Sequence, residues 1–157
     1  MTEVTIARPA LRRPIVGLGR SAATTRVHVA SARLGEVTVG AFRIVVAFLF
    51  ACHGAQKLFG AFGKTPIPVG TWPTWWAGTI EFIAGGLVLI GLFTRPAAVL
   101  CSGAMAYAYF TVHQETGLLP IQNHGEPAAL YSWIFLLIAI LGPGALAIDT
   151  VRRRRAQ

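Results

Sequence analysis

Apolar residues dominate four segments of the chain, which are separated by shorter stretches rich in glycine, proline and charge. The first segment would extend roughly 30 Å as a helix, close to the thickness of the hydrocarbon core of a bilayer. The last one stops at Gly142-Pro143-Gly144, a sequence that ends or kinks a helix. The predicted spans cover approximately residues 40–60, 75–93, 97–113 and 127–141. The pattern therefore predicts an all-α fold, an integral membrane four-helix bundle.

The composition agrees with a membrane protein and excludes an ordinary soluble domain. Hydrophobic residues make up 54 % and charged residues 13 % of the 157 residues, and the mean hydropathy is +0.59. The net charge of +8 does not indicate nucleic-acid binding, because the arginines flank the apolar segments instead of alternating with aromatic residues. The expected partner of this charge is the anionic surface of a lipid bilayer.

The distribution of basic residues predicts the topology. Residues 1–36 contain six arginines, the turn after the second span contains Arg95, and residues 152–155 are four further arginines. The positive-inside rule places all three regions, and both termini, in the cytoplasm, with the chain in the inner (plasma) membrane. We expect a basic, flexible tail over 1–36, a four-span domain over 37–149 and a basic tail over 150–157.

Ionisable residues lie on the predicted spans at helical spacing. Arg43, His53 and Lys57 fall on one side of the first helix. Arg43 is near the cytoplasmic end, and we expect its guanidinium to reach the membrane interface. Glu81 shares a face of the second helix with two glycines, which predicts close approach of another helix and an inward-facing carboxylate.

With this topology each of the four helices places an ionisable residue in the outer half of the membrane. Such residues normally face other helices or a wet cavity. The candidate residues for ligand binding or proton exchange are His53, Lys57, Glu81, Tyr109, His113 and Glu126. The sequence identifies no catalytic residue among them.

Two interpretations of this polar cluster remain open. In the first, an ion pair such as Lys57 with Glu81 only neutralises charge and fixes how the helices pack. In the second, the cluster forms an outward-facing pocket for a small polar or quinone-like ligand. His53 and Lys57 would then donate hydrogen bonds to the ligand, and Glu81 would exchange protons.

Other polar and aromatic residues are not expected to bind a ligand. Clustered tryptophans at 72, 75 and 76 are typical of the membrane interface, and His124 is expected at the loop surface. Cys52 and Cys101 belong to no metal-ligand spacing, so no metal site is predicted. Haem is disfavoured because the depths predicted for His53 and His113 differ by about two helical turns.

Three blocks of the sequence resemble the DoxX family. They are His53-Gly54-Ala55-Gln56-Lys57-Leu58-Phe59-Gly60, then Glu81-Phe82-Ile83-Ala84-Gly85-Gly86 with the turn at 91–98, and finally Leu141-Gly142-Pro143-Gly144 with Asp149. The resemblance covers about residues 39–149 and implies a four-helix membrane protein. Family members are associated with thiosulfate:quinone oxidoreductase, through the related DoxD subunit, and with a superoxide dismutase and sulfurtransferase complex in oxidative-stress defence.

The expected function is that of a redox-associated membrane subunit or scaffold. A quinone, a redox partner protein or a second copy of the chain would be its partner. The chain is not expected to be an enzyme alone, because it has no redox-active thiol pair or evident cofactor site. Two alternatives stay open: a small proton-coupled transporter or carrier, and a purely structural assembly factor.

Overall fold

The computed structural model describes residues 22–156, and the regular secondary structure within that range is entirely helical. Five α-helices follow one another along the chain: α1 (Ala22–Phe59), α2 (Thr74–Ile90), α3 (Thr94–Ala108), α4 (Glu126–Leu141) and α5 (Ile148–Arg155). A 3-10 turn, Ala61–Gly63, follows α1; α3 continues into a π-helical turn, Tyr109–His113, and a 3-10 turn, Gln114–Thr116. The predicted all-α class is confirmed for these residues.

Helix α1 begins well before the predicted first span. It contains 38 residues, so the boundary expected after residue 36 lies inside a continuous helix. The rest of the expected amino-terminal tail, residues 1–21, lies outside the described part of the chain. Within that part, Ala30–Phe59 is a helical segment long and apolar enough to cross a membrane.

Helices α2 and α4 are apolar but shorter than α1, with 17 and 16 residues respectively. Each would extend about 25 Å. Their bounds lie within three residues of the predicted ones, and α4 ends immediately before Gly142. Helix α4 begins at Glu126-Pro127, as the acid and proline at this position predict.

Glycines allow α1 and α2 to pack closely. A Cβ atom on Gly54 of α1 would come within 2.5 Å of the Phe82 backbone nitrogen, and one on Gly78 of α2 within 2.8 Å of Lys57 Cβ. Helix α2 also packs on α3, and α3 on α4. The predicted close approach at the glycine face of α2 is confirmed, and it turns Glu81 inward, with 2 % of its surface exposed.

A compact apolar core lies between these helices. Phe50 of α1 contacts Phe135 of α4, with ring centroids 4.5 Å apart. Val88, Ala98 and Cys101 are completely buried beside them. By contrast, many large apolar side chains on the outside of the helices are exposed, as expected for a surface that lipid covers.

The end of the molecule that contains Arg43, Arg95 and α5, called the basic end below, is held by a buried arginine. Arg43 is fully buried and donates hydrogen bonds to the carbonyl oxygens of Pro143 (2.8 Å), Val88 (2.5 Å), Leu89 (2.6 Å) and Leu146 (3.0 Å). The expectation that Arg43 reaches the membrane interface is wrong. Carbonyl oxygens at the end of α2 and in the turn before α5 replace water as acceptors.

Asp149 holds the start of α3 at the same end. Its carboxylate accepts hydrogen bonds from the backbone N–H groups of Phe93 (3.1 Å) and Thr94 (2.9 Å) and from the Thr94 hydroxyl. Partial burial would raise the pKa of Asp149, but the hydrogen bonds from Thr94 and Phe93 and the charge of Arg153 outweigh that effect, and its pKa lies below the ordinary value. Asp149 therefore caps α3 in its charged form.

Candidate functional site

At the end opposite the basic end, a buried ion pair joins α1 to α2. Lys57 Nζ lies 2.5 Å from Glu81 Oε1, and this is the one salt bridge among the side chains of residues 30–156. The two partners differ in environment, since the Lys57 side chain is 31 % exposed and that of Glu81 only 2 %. Lys57 can therefore reach water while it neutralises a carboxylate that is shielded from bulk solvent.

The second oxygen of Glu81 is not satisfied by this pair. Glu81 Oε2 is buried and has no hydrogen-bond partner among the described residues. A buried carboxylate oxygen without a donor is energetically unfavourable, and natural structures contain few such atoms. The atom is therefore free to accept a hydrogen bond from a hydroxyl group or to hold a proton.

A cavity of about 250 Å³, called the polar cavity below, lies beside the ion pair. The residues with polar side chains that line it are His53, Lys57, Glu81, His113, His124 and Tyr131. Phe50, Met105 and Ala128 contribute apolar walls. The cavity thus combines hydrogen-bond donors, a buried acid and an apolar floor contributed by α1, α3 and α4.

Local structure positions the histidines and the tyrosine of this cavity. The His53 ring packs edge-on against Tyr131, with centroids 6.0 Å apart. His113 lies in the π-helical turn after α3, and its Nδ1 is 3.1 Å from the carbonyl oxygen of Asn123. Asn123 is itself buried; its side-chain amide donates a hydrogen bond to the Gly117 carbonyl oxygen and accepts one from the Gly125 N–H. These bonds hold the loop before α4 against His113.

A larger apolar recess of about 570 Å³, called the lateral groove below, runs along α2 and α3. Among its lining residues are Trp72, Trp76, Ile80, Leu100, Gly103 and Tyr107. Lys57 and His113 line both the lateral groove and the polar cavity. The two spaces therefore meet at a pair of hydrogen-bonding side chains.

The structure brings four of the six predicted residues together, namely His53, Lys57, Glu81 and His113. The other two lie outside the lining of the polar cavity. Tyr109 donates its hydroxyl to the Leu118 carbonyl oxygen at 3.1 Å, and Glu126 is exposed in the first turn of α4.

Two further residues of the polar cavity were not singled out from the sequence. His124 is exposed, as expected of a loop residue, but it also lines the cavity. Tyr131 lies one helical turn after Pro127 on α4. Its place in the cavity depends on which face of α4 packs toward α1, and this could not be predicted from the sequence.

The chemistry available in the polar cavity is hydrogen bonding and proton exchange. Within the described residues no group of three or more His, Cys, Asp or Glu side chains is arranged to hold a metal ion. Cys52 and Cys101 are free thiols. Lysine and histidine can donate to carbonyl oxygens, and Glu81 Oε2 can accept from a hydroxyl.

Comparison with known proteins agrees with the helical, apolar character of the chain. The DoxX family model matches residues 38–114. An uncharacterized protein of Haemophilus influenzae is 41 % identical over 120 residues, which cover 68 % of this chain and 84 % of that protein. An uncharacterized membrane protein of Mycobacterium tuberculosis is 30 % identical over 141 residues, covering 78 % of this chain and 85 % of its own. No solved structure matches. The family model and these two relatives together identify the chain as a membrane protein of the DoxX family.

Proposed function

We propose that this DoxX-family protein is a redox-associated membrane subunit or scaffold that binds a quinone-like amphiphile, with the polar head in the polar cavity and the apolar tail in the lateral groove. One observation carries the proposal: Lys57 and His113 line both spaces. A ligand at these two residues touches a polar and an apolar environment at once.

The polar cavity suits a head that alternates between carbonyl and hydroxyl groups. Lys57 Nζ and the His53 ring can donate hydrogen bonds to a carbonyl oxygen, and the unpartnered Glu81 Oε2 can accept one from a hydroxyl. Quinones have the carbonyl form and quinols the hydroxyl form. Glu81, next to a lysine and near histidines, is the residue that would take up or release the proton.

The lateral groove suits an apolar tail. It lies between α2 and α3, and its lining is apolar or aromatic apart from a few side chains such as Lys57 and His113. Trp72, Trp76 and Tyr107 line it as well, and such residues are common where a protein meets the edge of the bilayer. An amphiphile could therefore enter sideways from the membrane instead of crossing water.

The proposed topology has four membrane-spanning helices, α1 to α4, in the inner (plasma) membrane. The arginines at residues 95 and 152–155 favour a cytoplasmic basic end, which puts both termini inside and the polar cavity in the outer half. Electrons would come from a partner protein, since the two cysteines do not form a redox pair. A second copy of the chain is another possible source of contacts for such a complex.

Binding can be tested with a short-chain quinone in detergent-solubilised protein, measured by quenching of tryptophan fluorescence. We expect Glu81→Gln to weaken binding about tenfold or more, because the amide is not a charged acceptor and cannot take up a proton. Gly103→Leu should weaken it similarly, since Gly103 lines the lateral groove and has open space around it. Gly86→Leu is the matched control: it also has open space, but it lies outside the groove.

Three other results would reject the quinone proposal. Wild-type protein that does not bind the quinone would reject it directly. If Gly86→Leu weakened binding as much as Gly103→Leu, the groove would have no specific part in it. Stable Glu81→Gln protein that binds quinone normally but loses proton flux in liposomes would favour a proton-coupled carrier.

A further inference from the structure

A separate hollow of about 260 Å³, called the basic hollow below, lies at the basic end. It is formed where the start of α3, the end of α4 and the helix α5 approach α1. Its charged lining residues are Glu36, Arg95, Arg153 and Arg154. Three guanidinium groups against one carboxylate leave an excess of two positive charges around this space.

The three arginines keep their hydrogen-bond donors available. None of them forms a salt bridge or a side-chain hydrogen bond with the side chains described for residues 30–156. The hydrogen bonds that Asp149 of α5 accepts come from the start of α3 and not from these arginines. Arg153 acts on Asp149 only through its charge. These guanidinium groups differ in this respect from Arg43, which donates four hydrogen bonds to carbonyl oxygens.

The hollow also borders an apolar surface. Gly142 ends α4 with a φ of +91°, and a Cβ atom there would lie 3.2 Å from Arg95 Nη2, so glycine allows this arginine to lie close over the helix end. Leu141, next to it, lines the hollow and is 55 % exposed. Positive groups therefore share the hollow with an exposed apolar side chain at the end of α4, and a lipid likewise joins a charged head to apolar chains.

We propose that the basic hollow binds a phosphate ester, the headgroup phosphate of an anionic membrane lipid. Arginine forks match phosphate oxygens in two-point hydrogen bonds, and basic pockets between membrane helices are suited to anionic headgroups. The acyl chains would lie along the exposed face of α4 that ends at Leu141. This site is independent of the polar cavity, which lies at the other end of the molecule.

Native mass spectrometry of the full chain in mild detergent can count bound lipids. We expect a short-chain phosphatidylglycerol to bind in preference to phosphatidylcholine with the same chains. The double variant Arg95→Gln/Arg153→Gln should reduce phosphatidylglycerol binding about tenfold. Arg152→Gln/Arg155→Gln is the matched control, because it removes the same charge from arginines that do not line the hollow, and it should bind like the wild type.

Glu36→Gln gives a test in the opposite direction, since it removes the one negative side chain of the hollow and should strengthen phosphatidylglycerol binding. This variant also keeps the proposal testable if the double arginine variant does not fold. Displacement of the lipid by millimolar inorganic phosphate would support the phosphate site and assign it to the free anion. Equal losses in both double variants, or no preference for phosphatidylglycerol, would overturn the proposal, since general charge attraction would then be sufficient.

Discussion

Two buried charged side chains, one on α1 and one on α2, differ in how many of their hydrogen-bonding groups have a partner. Arg43, at the basic end, is surrounded by backbone carbonyl oxygens and makes four hydrogen bonds. Glu81, toward the opposite end, has one partner in Lys57 and one oxygen with none. Both are almost inaccessible to solvent.

The difference separates a structural charge from a candidate functional one. The buried Arg43 guanidinium gives four of its five N–H donors to backbone carbonyl oxygens, so its role is to join α2 to the turn before α5. A buried carboxylate with a free oxygen beside a cavity keeps the capacity to bind. A buried polar atom without a hydrogen-bond partner, more than burial or charge alone, therefore distinguishes the candidate site.

The largest effect is expected from Arg43→Met, which keeps an unbranched apolar stem but removes the guanidinium donors from four carbonyl oxygens. We expect a loss of about 3 kcal/mol or more in the free energy of unfolding. Thermal unfolding of detergent-purified protein, followed by circular dichroism, measures it. Arg33→Met is the control: it lies on the same helix, is exposed, and should melt like the wild type. Equal melting of both variants would remove the structural role assigned to Arg43.

The second effect concerns the close contact of α1 and α2 beneath the ion pair. Gly54→Ala places a methyl group within 2.5 Å of the Phe82 backbone nitrogen, and should destabilise the protein by about 1–3 kcal/mol. Gly35→Ala, on the same helix with open space around it, should be neutral or stabilise slightly. If the two alanine variants had the same stability, the glycine contact would not determine how α1 and α2 pack.

A smaller effect on stability is expected from Glu81→Gln. The lysine that loses its partner is 31 % exposed and can reach water, so we expect a change of about 1 kcal/mol or less. The same thermal unfolding experiment measures it. Destabilisation as large as that of Arg43→Met would break the comparison, because the ion pair would then be structural like the arginine.

The smallest effect is the pH dependence at the basic end. Because the pKa of Asp149 is lowered in the folded state, its stabilisation is complete above the ordinary aspartate range and is lost as the pH falls through the lowered pKa. Asp149→Asn should remove about 0.5 kcal/mol at neutral pH and flatten the acid part of the stability curve. Parallel wild-type and variant curves in that range would show that Asp149 does not act as a charged cap.

The arrangement of apolar segments was enough to predict α2 and α4 to within three residues, but it missed the first half of α1 and the helix α5. Helix α4 and the stop at Gly142 follow from local chemistry, because a proline at the first turn and glycines after the last act within a few residues. The inward direction of Glu81 follows from its two glycines, because a face of small residues is where another helix fits. Helical periodicity therefore predicted both the elements and the face that carries the acid.

Periodicity assigns a residue to a face of its own helix but does not identify what lies opposite. The burial of Arg43 could not be predicted, because its acceptors are backbone carbonyl oxygens. Every residue has such an oxygen, and no sequence pattern shows which of them will accept. Tyr131 joins the polar cavity, and Tyr109 lies outside it, because of how α4 and the loop before it pack. The sequence by itself thus determined the apolar helices and their ionisable residues. Only the tertiary structure decided which charges are satisfied, because that depends on contacts between distant parts of the chain.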